Sequence, residues 1–260
     1  MKTRVLSGLL LAPLLMIIVL GNWVLLVGCL LIGFFGVKEF YNGFQNIGIK
    51  PSYSIGFGSV GLLYSISIFS LTDKFYMLWF FVVILSSLLY LFNIDKRELH
   101  DAMATLTGVF YVVFLSYHIV LIDQIETYHN LLWLVVLTAF GTDTLAYFSG
   151  YIFGKHKLCP NISPKKTVEG SIGGAIGSIL FCGIFGYFFV QDLFIHCLII
   201  GLVGSIAAQL GDLTASLFKR KMHIKDYGNL IPGHGGILDR FDSVLFTAPV
   251  VYYYIILVLK

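Results

Sequence analysis

Long apolar stretches alternate with short polar segments along most of the 260-residue chain. A helix that crosses the hydrocarbon core of a bilayer needs roughly 20 apolar residues, with a range of about 17–25. Nine stretches approach or reach that length, and each predicts a membrane-spanning helix. They are residues 6–20, 22–37, 56–72, 76–93, 102–122, 131–153, 171–190, 193–217 and 243–259. The pattern therefore predicts an all-α, polytopic integral membrane protein.

Composition agrees with this class and excludes a soluble domain. Hydrophobic residues make up 58% of the chain and charged residues only 12%, about half the charged share of a soluble protein. The start, Met-Lys-Thr-Arg followed by an apolar run, resembles a signal sequence. A second apolar run follows at once without a clear small-x-small cleavage site, so we expect an uncleaved first helix.

Basic residues indicate how the predicted helices are oriented. Cytoplasmic segments of membrane proteins carry an excess of Lys and Arg. With the N-terminus inside and nine spans, fifteen of the 17 Lys and Arg residues fall on the cytoplasmic side. Only Lys74 and Lys260 fall outside. We therefore predict a cytoplasmic N-terminus and an external C-terminus.

The two halves of the chain differ in how polar their helices are. Residues 1–130 read as plain apolar helices with short loops, which predicts a scaffold. In residues 131–260, glycine and polar residues enter the helices, and the two longest polar stretches fall on the cytoplasmic side. We expect the catalytic part there, within one membrane unit that has no soluble domain.

Polar side chains enter the predicted sixth helix at helical spacing. Asp143, Tyr147, Gly150 and Gly154 recur every three or four residues, which places them on one face. Glycines on that face let a neighbouring helix or a ligand come close. The face is interpreted either as a packing stripe with one paired aspartate or as part of a binding site.

A dense polar string follows that helix. It reads Ser163-Pro-Lys165-Lys166-Thr167-Val-Glu169-Gly. The Ser-Pro pair predicts a turn and a helix start, where free N–H groups favour anions. Lysines and a hydroxyl beside such a start suit phosphate oxygens. An ordinary positively charged cytoplasmic loop is the alternative.

The end of the predicted eighth helix places Asp212, Ser216 and Lys219 near one helical face. An aspartate in so apolar a helix is a functional candidate. A structural pair between Asp212 and Lys219 is the alternative.

A glycine-rich turn precedes the last predicted helix. It reads Pro-Gly-His234-Gly-Gly, and Asp239 and Asp242 follow three residues apart on one helical face. Such a turn lets backbone N–H groups approach phosphate. His234 is interpreted as a base, a phosphate donor or a plain turn residue. Acidic oxygen ligands near a phosphate site indicate Mg²⁺ rather than zinc.

Together these strings resemble the phosphatidate cytidylyltransferase family, also called CDP-diacylglycerol synthases. The resemblance covers about residues 140–243. It rests mainly on a string that matches without a gap, Ser216-x-x-Lys219-Arg220-x₄-Lys225-Asp226-x-Gly228-x₃-Pro-Gly-His234-Gly235-Gly236-x-x-Asp239-Arg240-x-Asp242. The Asp143 and Ser163 strings also match the family.

The resemblance implies that CTP and phosphatidate react to give CDP-diacylglycerol and pyrophosphate. By the same resemblance, Asp212, Asp239 and Asp143 are expected metal ligands, and Asp242 a further ligand or an orienting residue. Lys219 and Arg220 are expected to be catalytic by holding phosphates beside these carboxylates. The residues expected to hold substrate are Ser163, Lys165, Lys166, Thr167, Glu169, Ser216, Lys225, Asp226, His234 and Arg240.

Mg²⁺ is the expected cofactor, and a second, monovalent cation such as K⁺ stays open. The expected partners are CTP, phosphatidic acid and membrane lipid, with no nucleic acid; the resemblance alone suggests a homodimer. Because CTP is cytosolic and the acyl chains lie in the membrane, we expect an inner-membrane, multi-pass enzyme whose site faces the cytoplasm. The alternatives are a CTP-dependent polyprenol or phytol kinase and, from another class, an ion or solute transporter.

Overall fold

The computed structural model describes residues 12–230 and 235–260, with side chains from residue 16 onward. These residues form nine helices and one two-stranded hairpin. The helices before the hairpin are α1 (Ala12–Leu20), α2 (Asn22–Gln45), α3 (Tyr53–Ile68), α4 (Lys74–Leu89), α5 (Leu99–Asp123) and α6 (Leu132–Phe153). The hairpin strands are β1 (Lys157–Cys159) and β2 (Ser163–Thr167), and the remaining helices are α7 (Val168–Phe189), α8 (Phe194–Lys221) and α9 (Leu238–Tyr254).

The prediction of an all-α polytopic membrane protein is confirmed. In the described part of the chain, seven helices are long and apolar enough to cross a membrane, and α3 is a shorter apolar helix. The start of the first predicted span lies outside the described residues. The count of nine spans and the orientation of the termini stay predictions.

The predicted end of the second span at residue 37 is wrong. Helix α2 continues to Gln45, so the charged pair Lys38-Glu39 lies inside the helix and not at its end. The break before α2 is where the sequence predicts it, because Gly21 and Asn22 have φ angles of 58° and 47°. Left-handed backbone at two successive residues interrupts a right-handed helix.

The described residues group into two compact units. The first contains those up to Tyr117 together with those from Lys221 to Arg240, and the second contains His118–Arg220 and Phe241–Lys260. The sequence predicts a different division, into a scaffold up to residue 130 and a catalytic part after it. That division of roles stays a prediction.

Aromatic side chains fill the core of the first unit. Tyr41, Tyr64 and Phe40 are completely buried. The Tyr41 hydroxyl donates to the carbonyl oxygen of Thr105 at 2.7 Å, which gives its polar end a partner. The ring lies directly against Gly108, where a Cβ atom would collide with it. The hydrophobic core is therefore tied by a hydrogen bond to α5.

A buried aspartate organises the start of α5. Asp101, only 4% exposed, accepts hydrogen bonds from the backbone N–H groups of Glu98 at 3.0 Å and Lys50 at 2.6 Å. The first bond belongs to a capping box that satisfies the free N–H groups of the helix. The second bond holds the loop before α3 against the same helix end.

In the second unit, α6 and α7 pack closely through glycines. A Cβ atom at Gly170 would lie 2.8 Å from the carbonyl oxygen of Ala146, and one at Gly174 would lie 2.9 Å from that of Thr142. Gly150 faces the Thr167 hydroxyl. The glycine part of the face predicted for α6 therefore packs against a neighbouring helix, while a binding role for Asp143 on the same face stays a prediction.

Replacing Gly174 by Val is expected to destabilise the protein by about 1–3 kcal/mol, because the new side chain meets backbone that cannot move aside. Gly61→Val in α3 is the matched control, since nothing lies within 4 Å of a Cβ atom there. Both changes carry the same helix-propensity cost. Thermal unfolding in detergent should show a lower midpoint for Gly174→Val than for Gly61→Val, and equal midpoints would contradict the close packing.

The hairpin corrects the expected helix start at Ser163-Pro164. Ser163 and Pro164 lie in β2, which pairs antiparallel with β1. Helix α7 begins at Val168, and its N-cap is Thr167, whose hydroxyl accepts from the N–H of Gly170 at 3.1 Å. Proline is tolerated in an edge strand, and Thr is a good N-cap. The helix start therefore lies four residues after the predicted turn.

Candidate active site

Asp212 anchors the acidic part of the second unit. It lies half-buried in α8, and its Oδ2 forms an ion pair with the Lys166 ammonium at 2.5 Å. The hydroxyl of Ser216, one turn further on, lies 3.5 Å from the other oxygen. The hairpin therefore places Lys166, a predicted phosphate-binding residue, in contact with Asp212, a predicted metal ligand. Lys166 is thus one ion-pair partner of Asp212, and the pair with Lys219 that the sequence offered as an alternative stays a prediction.

Two more carboxylates lie near Asp212. Asp242 in α9 interacts electrostatically with Asp212, Asp143 and Lys219. The Ser243 hydroxyl donates to Asp143 at 3.4 Å, and the Ser243 backbone N–H donates to Asp242 at 2.8 Å. Three helices of the second unit thus each contribute one aspartate to the same neighbourhood.

Close helix packing brings these aspartates together. A Cβ atom at Gly211 would lie 2.5 Å from the backbone oxygen of Asp242. Any side chain at that position would push α8 and α9 apart. The glycine directly before Asp212 therefore lets the two acidic helix segments approach, which is a packing reason for the Gly-Asp pair.

The second unit contributes carboxylates, the type of ligand that a hard cation prefers. Mg²⁺ prefers carboxylate oxygens, and it is usually bound by one or two of them together with waters and substrate phosphates. Asp143, Asp212 and Asp242 supply such oxygens. Among the described residues, no three His, Cys, Asp or Glu side chains form a group that could hold a metal ion by themselves. The use of these three aspartates as metal ligands stays a prediction.

The predicted basic residues lie at or near the hairpin and the end of α8. Lys165 is exposed on β2 and Lys219 is half-buried on α8. Arg220 is exposed, and its Nε donates to the carbonyl oxygen of Ile162 at 3.4 Å. Lys166 pairs with Asp212, and Lys219 interacts electrostatically with Asp242, so positive charge lies beside the acidic cluster and favours a polyphosphate anion.

Glu169 and Thr167 have structural partners in this geometry. Glu169 accepts from the backbone N–H groups of Lys155 and His156 at 3.1 and 3.2 Å, and from the His156 ring at 2.6 Å. Thr167 caps α7. Ser163 is half-buried in β2. These contacts shape the hairpin, and direct substrate contact by the three residues stays a prediction.

Asp239 belongs to the first unit and holds a loop. It is only 7% exposed, and its Oδ2 accepts from the backbone N–H groups of Tyr227 at 2.8 Å and Gly236 at 3.0 Å. Lys225, Asp226 and Arg240 of the same unit are exposed. His234 lies outside the described residues. The use of Asp239 as a metal ligand stays a prediction.

Sequence reasoning missed Glu39, the buried carboxylate of α2. Its two oxygens accept from the backbone N–H groups of Ile237 and Leu238 at 3.0 and 2.9 Å. The signal was present, because an acidic residue inside an apolar helix is costly and is kept for a reason. Because the predicted span ended at residue 37, Glu39 was not recognised as a residue inside the helix.

Comparison with known proteins decides the family. The chain matches the Cytidylyltransferase family over residues 2–258. A phosphatidate cytidylyltransferase of Synechocystis sp. is 35% identical over 273 residues, which cover 94% of this chain and 92% of that protein. The chain belongs to the cytidylyltransferase family. The resemblance found in the sequence strings is thereby confirmed, and with it a nucleotide-transferring enzyme.

Other members of the cytidylyltransferase family match a shorter segment more strongly. A phosphatidate cytidylyltransferase of Bacillus subtilis is 50% identical over 113 residues, covering 43% of this chain and 42% of that protein. One of Rickettsia bellii is 41% identical over 131 residues, covering 46% of this chain and 57% of that protein. Similarity to these relatives is thus concentrated in less than half of the chain.

Proposed function

We propose that the chain is a phosphatidate cytidylyltransferase, which converts CTP and phosphatidate into CDP-diacylglycerol and pyrophosphate with the help of Mg²⁺. The observation that carries the proposal is the acidic cluster of Asp143, Asp212 and Asp242, bordered by Lys166 and Lys219. Metal-binding oxygens beside phosphate-binding cations are what nucleotidyl transfer requires. The relatives named for this reaction support the choice of substrates.

The reaction asks for positioning and charge neutralisation more than for proton transfer. A phosphate oxygen of phosphatidate attacks the α-phosphorus of CTP. The bond from that phosphorus to the bridging oxygen breaks, and pyrophosphate leaves with the electron pair. The nucleophile is already an anion, so little general-base help is needed. What the protein must supply is alignment and stabilisation of charge on the triphosphate.

The chain's own residues divide these tasks. Lys166 and Lys219 lie beside the carboxylates and would hold phosphate oxygens. Lys165 on the hairpin and Arg220 at the end of α8 are exposed and would attract the anionic substrates. Asp143, Asp212 and Asp242 would hold Mg²⁺, which, when bound, neutralises charge on the reacting phosphates. We also propose that Asp239 is a metal ligand in this reaction.

We further propose that the reaction takes place at the cytoplasmic face of the plasma membrane. CTP is a cytosolic anion, whereas the acyl chains of phosphatidate stay in the bilayer. The distribution of Lys and Arg predicts that the hairpin and the end of α8 face the cytoplasm. A site there would receive nucleotide from water and lipid from the side.

The direct test is an assay of the purified protein in detergent with labelled CTP and phosphatidate. We expect label in a lipid product and one pyrophosphate released for each lipid formed. Transfer of phosphate to a polyprenol or phytol with release of CDP would instead identify a kinase. No turnover with either acceptor would refute the proposed activity.

Removing divalent cations is expected to stop the reaction. Excess EDTA should reduce lipid-product formation to background, because the triphosphate charge is then unneutralised, and added Mg²⁺ should restore it. Adding Ca²⁺-saturated EDTA at the same concentration controls for effects of the chelator itself. Full activity in EDTA would contradict a metal-dependent route.

A further inference from the structure

A buried carboxylate in α2 holds the loop that carries the last signature residues. Glu39 is only 8% exposed. Its oxygens accept from two consecutive backbone N–H groups, those of Ile237 and Leu238, at 3.0 and 2.9 Å. Helix α9 begins at Leu238, so the carboxylate lies at a helix N-terminus, where backbone N–H groups lack internal partners and negative charge is favoured.

Two glycines of the signature leave room for this side chain. A Cβ atom at Gly228 would lie 2.6 Å from Oε1 of Glu39, and a Cβ atom at Gly236 would also collide with the carboxylate. No larger residue fits at either position while Glu39 keeps its hydrogen bonds. The structure therefore explains why glycine occupies these two positions of the signature: the Glu39 side chain, almost 200 residues earlier in the chain, fills the space beside them.

A second carboxylate holds the same loop. Oδ2 of Asp239 accepts from the N–H groups of Tyr227 and Gly236, while the Glu39 carboxylate occupies the space that Cβ atoms at Gly228 and Gly236 would need. The backbone between residues 235 and 238 is thus held by both acids. Because Glu39 fixes the first turn of α9, it also fixes the direction in which Asp239, one residue further on, presents its carboxylate.

We propose that Glu39 is a positioning residue of the reaction, acting through the loop at 235–238 to hold Asp239 in its productive orientation. This inference rests on the proposed function. A hydrogen bond to a charged group contributes more than a neutral one, and a loop displaced by about 1 Å can cost a large factor in rate. Glu39 touches no substrate in this role.

The test compares Glu39→Gln with the wild-type enzyme in detergent. The amide keeps one acceptor oxygen but points an NH₂ group at the second backbone N–H. We expect the Mg²⁺–CTP concentration for half-maximal rate to rise about tenfold, and kcat to fall about ten- to a hundredfold. Amide hydrogen exchange at Ile237 and Leu238 should become faster in the absence of any substrate.

Asp101→Asn is the matched control. Asp101 is another buried carboxylate that accepts from backbone N–H groups at a helix start in the same unit. Its replacement should lower thermal stability without moving the half-saturating Mg²⁺–CTP concentration. A structural role would reduce the active fraction in both variants and leave that concentration unchanged in both.

A second pair of variants approaches the contact from the loop. Gly236→Ala drives a methyl group against the Glu39 carboxylate and should reproduce the kinetic change of Glu39→Gln. Gly58→Ala, where nothing lies within 4 Å of a Cβ atom, should not. Unchanged exchange at residues 237 and 238, or an unchanged half-saturating concentration, overturns the inference. A wild-type enzyme without cytidylyltransferase activity refutes the proposed function, and with it the catalytic sense of this assignment.

Discussion

Replacing Asp212 by Asn is expected to reduce CDP-diacylglycerol formation at least about a hundredfold, the scale seen when a charge-stabilising group is removed from an active site. Asp212 is the carboxylate that receives the Lys166 ammonium and interacts with Asp242. An amide there binds a divalent cation poorly and leaves Lys166 without its ion pair. The rate of labelled-lipid formation at saturating CTP and Mg²⁺ measures the effect.

The fold should survive this change. The Lys166 and Asp212 side chains are 25% and 30% exposed, and partly exposed ion pairs contribute only about 0–1 kcal/mol. Asp192→Asn, at an exposed aspartate of the same unit, is the matched control and should be nearly silent in both activity and thermal unfolding. Asp212→Asn with turnover near that of the wild type would remove Asp212 from the chemistry.

The sequence predicted the helical architecture well, because it depends on long apolar stretches that few other structures can bury. The sequence also predicted some of the local contacts within the second unit. The spacing of Asp143, Gly150 and Gly154 indicated a common face on α6, and the glycines of that face indeed allow α7 to approach. Periodicity along one helix carries this information, so one chain suffices to find it.

What the sequence could not predict depends on contacts between distant segments. The hairpin of β1 and β2 gave no strand signal, since only eight residues form it and Pro164 favours a turn. A pair between Asp212 and Lys219 of its own helix was one alternative that spacing offered, but the ion pair with Lys166 of the hairpin was not foreseen. Spacing along a helix reveals neighbours one turn away and is silent on residues 46 positions apart.

Glu39 illustrates a different failure. The predicted span 22–37 ended two residues before Glu39. The structure buries this charge because two backbone N–H groups satisfy it, and nothing in the sequence around residue 39 encodes that partner. The cost of burying a charge is offset only by hydrogen bonds that form after the chain has folded.

Two variants of Asp239 can distinguish the role of its negative charge from its role in holding the loop. Two backbone N–H groups, those of Tyr227 and Gly236, donate to the same oxygen of Asp239, Oδ2. The carbonyl oxygen of an asparagine can accept both bonds in the same place. Asp239→Asn therefore removes the negative charge and keeps these two hydrogen bonds to the loop, whereas Asp239→Ala removes the charge and both bonds.

We expect Asp239→Asn to lose at least about a hundredfold in turnover with a thermal midpoint close to that of the wild type. Asp239→Ala should lose as much activity and also stability, because two buried N–H groups are left without partners at about 1–3 kcal/mol each. Asp95→Asn, at an exposed aspartate of the same unit, should change neither. If Asp239→Asn kept its turnover while Asp239→Ala lost both properties, the carboxylate would serve the loop alone, and the metal site would have to be formed without it.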